Sequence, residues 1–187
     1  MKRLLVMTVG QTHSGKSTFG RMLASRLGNA CVIDQDNHAE FINTYYQVLL
    51  PKHGPNVLKY SVSETIIDYA IAHTEMLLIF CNAFRTYSGR SKLLNKFRAH
   101  GFTTVLVNFD ISDEVLAARV AETQRSTAIF RSASSFEEVL ARQQAETGKG
   151  DTVPPRADEA NYFFNLKNNE EAQTVATQLA LITAESS

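Results

Sequence analysis

Tryptophan is missing from this 187-residue chain, cysteine occurs twice and proline four times. Cys31 and Cys81 both lie in apolar, strand-like runs, which excludes a disulfide-stapled secreted scaffold. They read as buried free thiols in a reducing, cytoplasmic setting. Cysteine and histidine show no metal-ligand spacing, so a zinc module is excluded. No apolar run approaches the roughly 20 residues of a membrane span, and no membrane partner is expected. The run that follows Met1-Lys2-Arg3 is short and continues into a glycine-containing turn, so it does not read as a signal peptide. Excess charge of one sign is also missing. Lys+Arg and Asp+Glu are both 19, without the basic bias that favours long nucleic acid, although a local basic groove stays open. There is no internal repeat, low-complexity tract or second-domain boundary, and a single domain over residues 1–187 is expected.

What is present begins with Gly10-Gln11-Thr12-His13-Ser14-Gly15-Lys16-Ser17-Thr18. This fits the phosphate-binding loop pattern of Gly, four residues, then Gly-Lys-Ser/Thr. The flanks fit too. Leu4–Val9 reads as a buried strand, and Phe19, Met22, Leu23 and Leu27 fall at helical spacing before Gly28. Gly10 and Gly15 allow the sharp turn that points amide N–H groups inward. The helix beginning near Lys16 brings its positive dipole end to the same place. Lys16 is expected to reach the β- and γ-phosphates of ATP, Ser17 to ligate Mg²⁺, and Thr18 to add an α-phosphate contact.

Ala30–Asp34 reads as a second strand running into Asp34-Gln35-Asp36-Asn37-His38. Ligands of open parallel sheets bind at the carboxyl ends of strands. Asp36 is therefore the candidate general base toward an acceptor hydroxyl, and Asp34 the candidate carboxylate near magnesium. The alternative is that both simply end the strand and cap the next helix. His38 reads as a surface histidine. A helix over 39–50 is expected to pack Phe41, Tyr45, Val48 and Leu49 inward, and Pro51-Lys52-His53-Gly54-Pro55 to break it. Ser61-Val62-Ser63-Glu64 has the form of a capping box, placing a helix from there to His73 with Val62, Ile66, Tyr69 and Ala70 on its stripe.

Met76–Cys81 is apolar throughout and reads as a central strand, followed by Asn82 where many phosphate-loop enzymes place an Asp. Arg85 and Arg90 come next, nearest the strand end, ahead of a helix over 91–100. Thr103–Phe109 is a fourth strand, and Ser112-Asp113-Glu114 caps a helix carrying Val115, Leu116 and Val120 inward and Arg119 near its middle. A polar stretch over 124–134 with Arg125 and Arg131 precedes a second capping box, Ser135–Glu138. An arginine-bearing segment between two helices suits a lid over a transferring phosphoryl group, here about residues 119–137, with Arg119 and Arg125 as its cations. The alternative for each is an exposed helix arginine. Ala160–Leu166 and a helix over 170–182 close the chain.

Five short strands alternating with helices predict an α/β architecture: a five-stranded parallel sheet between two helical layers, with a helical lid. On Gly10–Thr18 and Val32–His38 the chain resembles the P-loop kinases that include polynucleotide kinases, zeta toxins and small-molecule phosphotransferases. The resemblance implies transfer of the γ-phosphoryl group of ATP to a hydroxyl acceptor, with Asp36 as base and Arg119 and Arg125 on ATP phosphates. Polynucleotide kinases carry an arginine three residues after the base, where this chain has Ala39. That difference and the neutral net charge favour a small or nucleoside-like acceptor over a nucleic acid 5′-hydroxyl. A nucleotide-binding regulatory ATPase is the alternative from another class.

Overall fold

The computed structural model describes residues 3–54 and 56–185. Pro55 of the expected break and the chain's extreme ends lie outside the described residues. Five strands form one sheet: β1 (Leu4–Gly10), β2 (Ala30–Asp34), β3 (Leu77–Cys81), β4 (Thr103–Phe109) and β5 (Tyr162–Leu166). Their order is β2-β3-β1-β4-β5 and every pairing is parallel. The helices are α1 (Lys16–Leu27), α2 (Gln35–Tyr45), α3 (Val57–His73), α4 (Tyr87–Ala99), α5 (Asp113–Ala121), α6 (Phe136–Glu146) and α7 (Asn169–Glu185). No helix among the described residues is long and apolar enough to cross a membrane.

The continuous apolar runs of β1 and β3 follow from burial on both faces of the sheet. Successive residues point to opposite faces, so β1 feeds two cores. Leu4 and Val6 pack with Phe19 and Leu23 of α1, Leu116 of α5 and Leu179 of α7. Leu5, Met7 and Val9 pack with Ile67 of α3 and with Leu94 and Phe97 of α4. This is the three-layer α/β arrangement expected from the alternation of elements. At Gly20, a β-carbon would come within 2.4 Å of Cys81 Sγ, so the absent side chain lets α1 lie close against β3. That contact fixes the phosphate loop relative to the end of β3.

Several boundaries and faces differ from the sequence expectations. Helix α3 begins at Val57, because Asn56 Oδ1 accepts from the Lys59 amide at 3.2 Å and caps the helix a turn ahead of Ser61. The buried stripe of α3 is then Ser63, Ile67 and Ala70, while Ile66 and Tyr69 are exposed. Helix α2 starts directly at the end of β2, and a short 3₁₀ turn over Gln47–Leu49 follows it. Phe41, Tyr45, Val48 and Leu49 are exposed rather than inward, since α2 buries Ala39 and Ile42 instead. Val115 is likewise exposed, and α4 begins four residues early, at Tyr87. Ser112 and Ser135 cap α5 and α6 as their sequences predict.

Candidate active site

The loop between β1 and α1 carries left-handed or otherwise positive φ at Gly10 (148°), His13 (58°) and Gly15 (103°). Gly15 is the N-cap of α1 and supplies no side-chain cap, and the first turn holds no acidic residue. The first-turn amides are therefore available to an anion, at the positive end of a 12-residue helix. Lys16 is half-buried and folded back, its Nζ donating to the carbonyl of Gln11 and to Ser14 Oγ at 3.1 Å. Burial lowers its pKa to about 8, opposed by the nearby carboxylate of Asp36. A group held this way gains from a polyanion that replaces its lost solvation.

Asp34 ends β2 and serves two purposes. Its Oδ1 accepts from the Asp36 amide at 3.0 Å, capping α2, and its Oδ2 accepts from the Ser17 hydroxyl at 2.6 Å. The capping role and the placement beside Ser17 thus coexist. Ser17 and Asp34 offer hard oxygen donors of the kind Mg²⁺ takes, and Mg²⁺ keeps water and phosphate ligands for the rest of its shell. Among the described residues no group of three or more His, Cys, Asp or Glu side chains could hold a metal by itself. The donor set therefore fits a metal carried with a nucleotide rather than a caged one. The last residue of β3 is Cys81, 2% exposed, its Sγ against the Lys16 carbonyl at 3.6 Å. Burial pushes that thiol up to about 12, so it stays protonated and offers no charge to a metal.

Asp36 lies one residue into α2 and faces the segment between α5 and α6. Arg125 donates to its Oδ2 at 3.1 Å, both side chains being more than 40% exposed. Arg125 also lies over the Phe136 ring at 5.2 Å. Arg119 donates to the His13 carbonyl and to Asn169 Oδ1, each at 3.1 Å, so it is pinned to the outer side of the loop. His13 itself bridges the two regions: Nε2 lies 2.8 Å from Thr123 Oγ1, and the ring meets Phe136 edge-on at 4.6 Å. Burial and the neighbouring Arg125 and Lys16 lower its pKa to about 4. Together these groups line a cleft of about 770 Å³ over the phosphate loop, with Lys16, Ser17, Asp34, Asp36 and Arg125 on its walls.

Sequence patterns do not point to three features of this region. The Thr12 amide donates to Gln143 Oε1 at 2.7 Å, tying the loop to α6 across 131 residues. Asn82 Nδ2 donates to the Gln35 side chain, joining the ends of β2 and β3. His38 is half-buried on α2 beside Ser63, with Nδ1 2.7 Å from Ser63 Oγ, rather than a surface histidine. Only Gln35 could have been anticipated, from its position between the two aspartates. Arg90, expected near the ligand, is instead fully buried. It makes a two-point pair with Glu159 at 2.7 and 2.9 Å and donates to the carbonyls of Phe84, Arg85 and Val153, which leaves it nothing for a ligand. Arg85 is held by α6, through the Gln143 carbonyl and Thr147 Oγ1.

The fold is shared with solved kinases. A shikimate kinase from Bacteroides thetaiotaomicron superposes with a TM-score of 0.56 at 16% identity, over 97% of this chain and 98% of that one. An APS kinase from Mycobacterium tuberculosis, solved with AMPPNP and APS, gives 0.59 at 15% identity over 95% and 98%. A protein of Chloroflexus aurantiacus gives 0.66 at 17% identity over 99% and 98%. No curated protein matches the chain. Residues 5–147 match the family described as AAA domain, and with its phosphate loop and parallel sheet the chain belongs to that family.

Proposed function

We propose that this chain is an ATP-dependent phosphotransferase that moves the γ-phosphoryl group of ATP to an alcohol hydroxyl. The observation that carries the reading is the convergence of Lys16, Ser17–Asp34 and Arg125–Asp36 on one cleft. The uncapped amides over residues 10–18 and Lys16 would hold the β- and γ-phosphates. Ser17 and Asp34 would hold Mg²⁺, which supplies charge neutralisation on the phosphate oxygens. Asp36 would accept the proton of the acceptor hydroxyl as its oxygen forms the new P–O bond. ADP leaves as the old P–O bond breaks, and the proton passes from Asp36 to solvent. Arg125, held by one exposed bond to Asp36 and by the Phe136 ring, would swing to the equatorial oxygens, where a permanent planar cation stabilises spread charge. That move also uncovers Asp36. The segment over residues 119–137 acts as the lid, hinged on Arg119, and Lys16 turns from Gln11 to the phosphates.

A small acceptor fits better than a nucleic acid end. Ala39 is 4% exposed, so the third position after the proposed base presents no side chain to a strand. The test is transfer from γ-labelled ATP to a panel of alcohols, sugars, nucleosides and 5′-hydroxyl oligonucleotides. Labelled product is expected with at least one non-polymeric acceptor and none with Lys16→Ala. A panel in which the oligonucleotide alone is labelled would move the assignment to polynucleotide ends. Hydrolysis at one rate with or without every alcohol would make the chain an ATPase.

A further inference from the structure

We infer that the acceptor is a small alcohol bearing an anionic group, bound in a second cavity beside the nucleotide cleft. The inference rests on the kinase reading above and deepens it. This cavity, about 570 Å³, is bordered by α3, α4 and α6, and shares Tyr60, Asn82, Ala83, Arg142 and Gln143 with the cleft over the phosphate loop. Its size is that of small-molecule sites. A molecule lodged there would lie next to the cleft that holds Asp36.

The charges of this cavity do not balance. Its two lining carboxylates, Glu64 and Glu146, are already matched. Glu146 pairs with Arg85 at 3.4 Å, and Glu64 with Lys96 at 3.5 Å, where Asp68 adds a second carboxylate at 2.6 Å. Lys92 of α4 and Arg142 of α6 remain. Among the described residues neither makes a hydrogen bond or an ion pair. Glu138, one turn before Arg142 on the same helix, accepts from the backbone and hydroxyl of Ser134 and feels the Arg142 charge without forming an ion pair with it. Two exposed cations from two different helices on one cavity, neither held by an ion pair, favour an anion there.

A second, independent feature concerns Gln35, which is 6% exposed and lines the same cavity. Its side-chain carbonyl accepts from Asn82, and its amide N–H group has no partner among the described residues. That donor is open to the water of the cavity, which an acceptor atom of the ligand can displace. The apolar wall, from Ile67, Phe84 and Leu93, suits the carbon body of a compact molecule. Phe84 holds a left-handed φ of 41°, a conformation that accumulates at binding sites. The chemistry recognised is thus an anionic oxygen group, a short carbon body and a hydroxyl directed toward Asp36. Carboxylate and phosphate share that chemistry.

The test compares matched acceptors with labelled ATP: glycerate against glycerol, gluconate against glucose, and glucose 6-phosphate against glucose. At least one anionic member is expected to be phosphorylated with a kcat/KM about tenfold or more above its neutral counterpart. The carboxylate and phosphate arms identify which anion is used. Lys92→Gln and Arg142→Gln are each expected to raise the KM for that acceptor about tenfold, with kcat and melting temperature retained. Equal or better use of the neutral members would overturn the inference, as would unchanged acceptor KM in both variants. Bound ATP analogue with no anionic member accepted would overturn it as well, while leaving the nucleotide site intact. Failure to bind the analogue at all, with no alcohol of either kind accepted, would instead bring down the kinase reading on which the inference stands.

Discussion

Two arginine–carboxylate pairs in this molecule use the same chemistry for opposite ends. Arg90 and Glu159 are 0% and 4% exposed and meet through two bonds, with three carbonyls gathered around Nη1. Arg125 and Asp36 meet through one bond at 3.1 Å, 41% and 43% exposed, on the wall of the cleft. The first arrangement is bonded at several points and closed to solvent, and it ties α4 to the turn before β5. The second is open, singly bonded and adjacent to Lys16. A buried charge pair is hard to separate because each partner would be left desolvated, whereas an exposed pair is worth little and separates readily. The difference marks one arginine as a strut and the other as a group that can readily change partners.

Mutations should separate the pairs by what they damage. Arg90→Gln leaves Glu159 buried and unmatched, and is expected to cost about 3–5 kcal/mol of stability, since breaking one side of a buried pair carries that penalty. Thermal unfolding would show it as a melting point lower by on the order of 10 °C. A shift of only a degree or two would place Arg90 in the same class as Arg125. Arg125→Gln is expected to do the reverse. Its stability cost should stay under about 1 kcal/mol, while phosphoryl transfer falls about 10²–10³-fold, the usual loss for one charge-stabilising donor. A loss of stability equal to that of Arg90→Gln, with turnover retained, would erase the contrast.

The pH profile sharpens the account of the open region. In the proposed function protonated Lys16 attracts ATP, and its pKa is lowered by burial to about 8. Nucleotide affinity measured by titration should hold up to about pH 8 and then decline, because binding must first return a proton to the amine. His13 supplies the smallest effect. It is lowered to about 4, against 6.5 for the ordinary side chain. Between those values the unfolded chain binds the proton and the folded chain does not, so the His13 contribution to stability falls as pH drops from about 6.5 toward 4. His13→Asn should flatten the melting-temperature profile in that window, and an unaltered slope would assign the acid sensitivity elsewhere.

The sequence was most informative where local rules and tertiary structure agree. Thr103–Phe109 forms β4 with those bounds, because a β-branched run between Gly101 and a capped helix leaves few alternatives. Gly10–Thr18 is legible for a similar reason: its chemistry is carried by neighbours in the chain. Long-range pairing was not legible. Arg90 and Glu159 stand 69 residues apart, and no spacing reveals that they meet. The helix face at Phe41 and Tyr45 was misread because 3.6-residue periodicity marks a stripe without saying what it faces. In the fold, α2 turns another side toward the lid, where Asn43 donates to the carbonyls of Ala128 and Phe130. At Ser61 a correct capping pattern lost to a better-placed Asn56, which gains an extra turn of α3. Asp36 stands out in the sequence by its place at a strand end, but its pairing with Arg125 is visible only in the fold.

The central claim is that Asp36 takes the proton of an alcohol while Lys16 and its loop hold the nucleotide. The measurement that meets it most directly is kcat for ATP-dependent phosphorylation of the best alcohol, compared between the parent protein and Asp36→Asn, alongside the affinity of each for an ATP analogue. The account predicts a kcat lower by about 10²–10⁴-fold, the usual contribution of a positioned general base, with analogue affinity nearly unchanged. Equal turnover in the two proteins would contradict it.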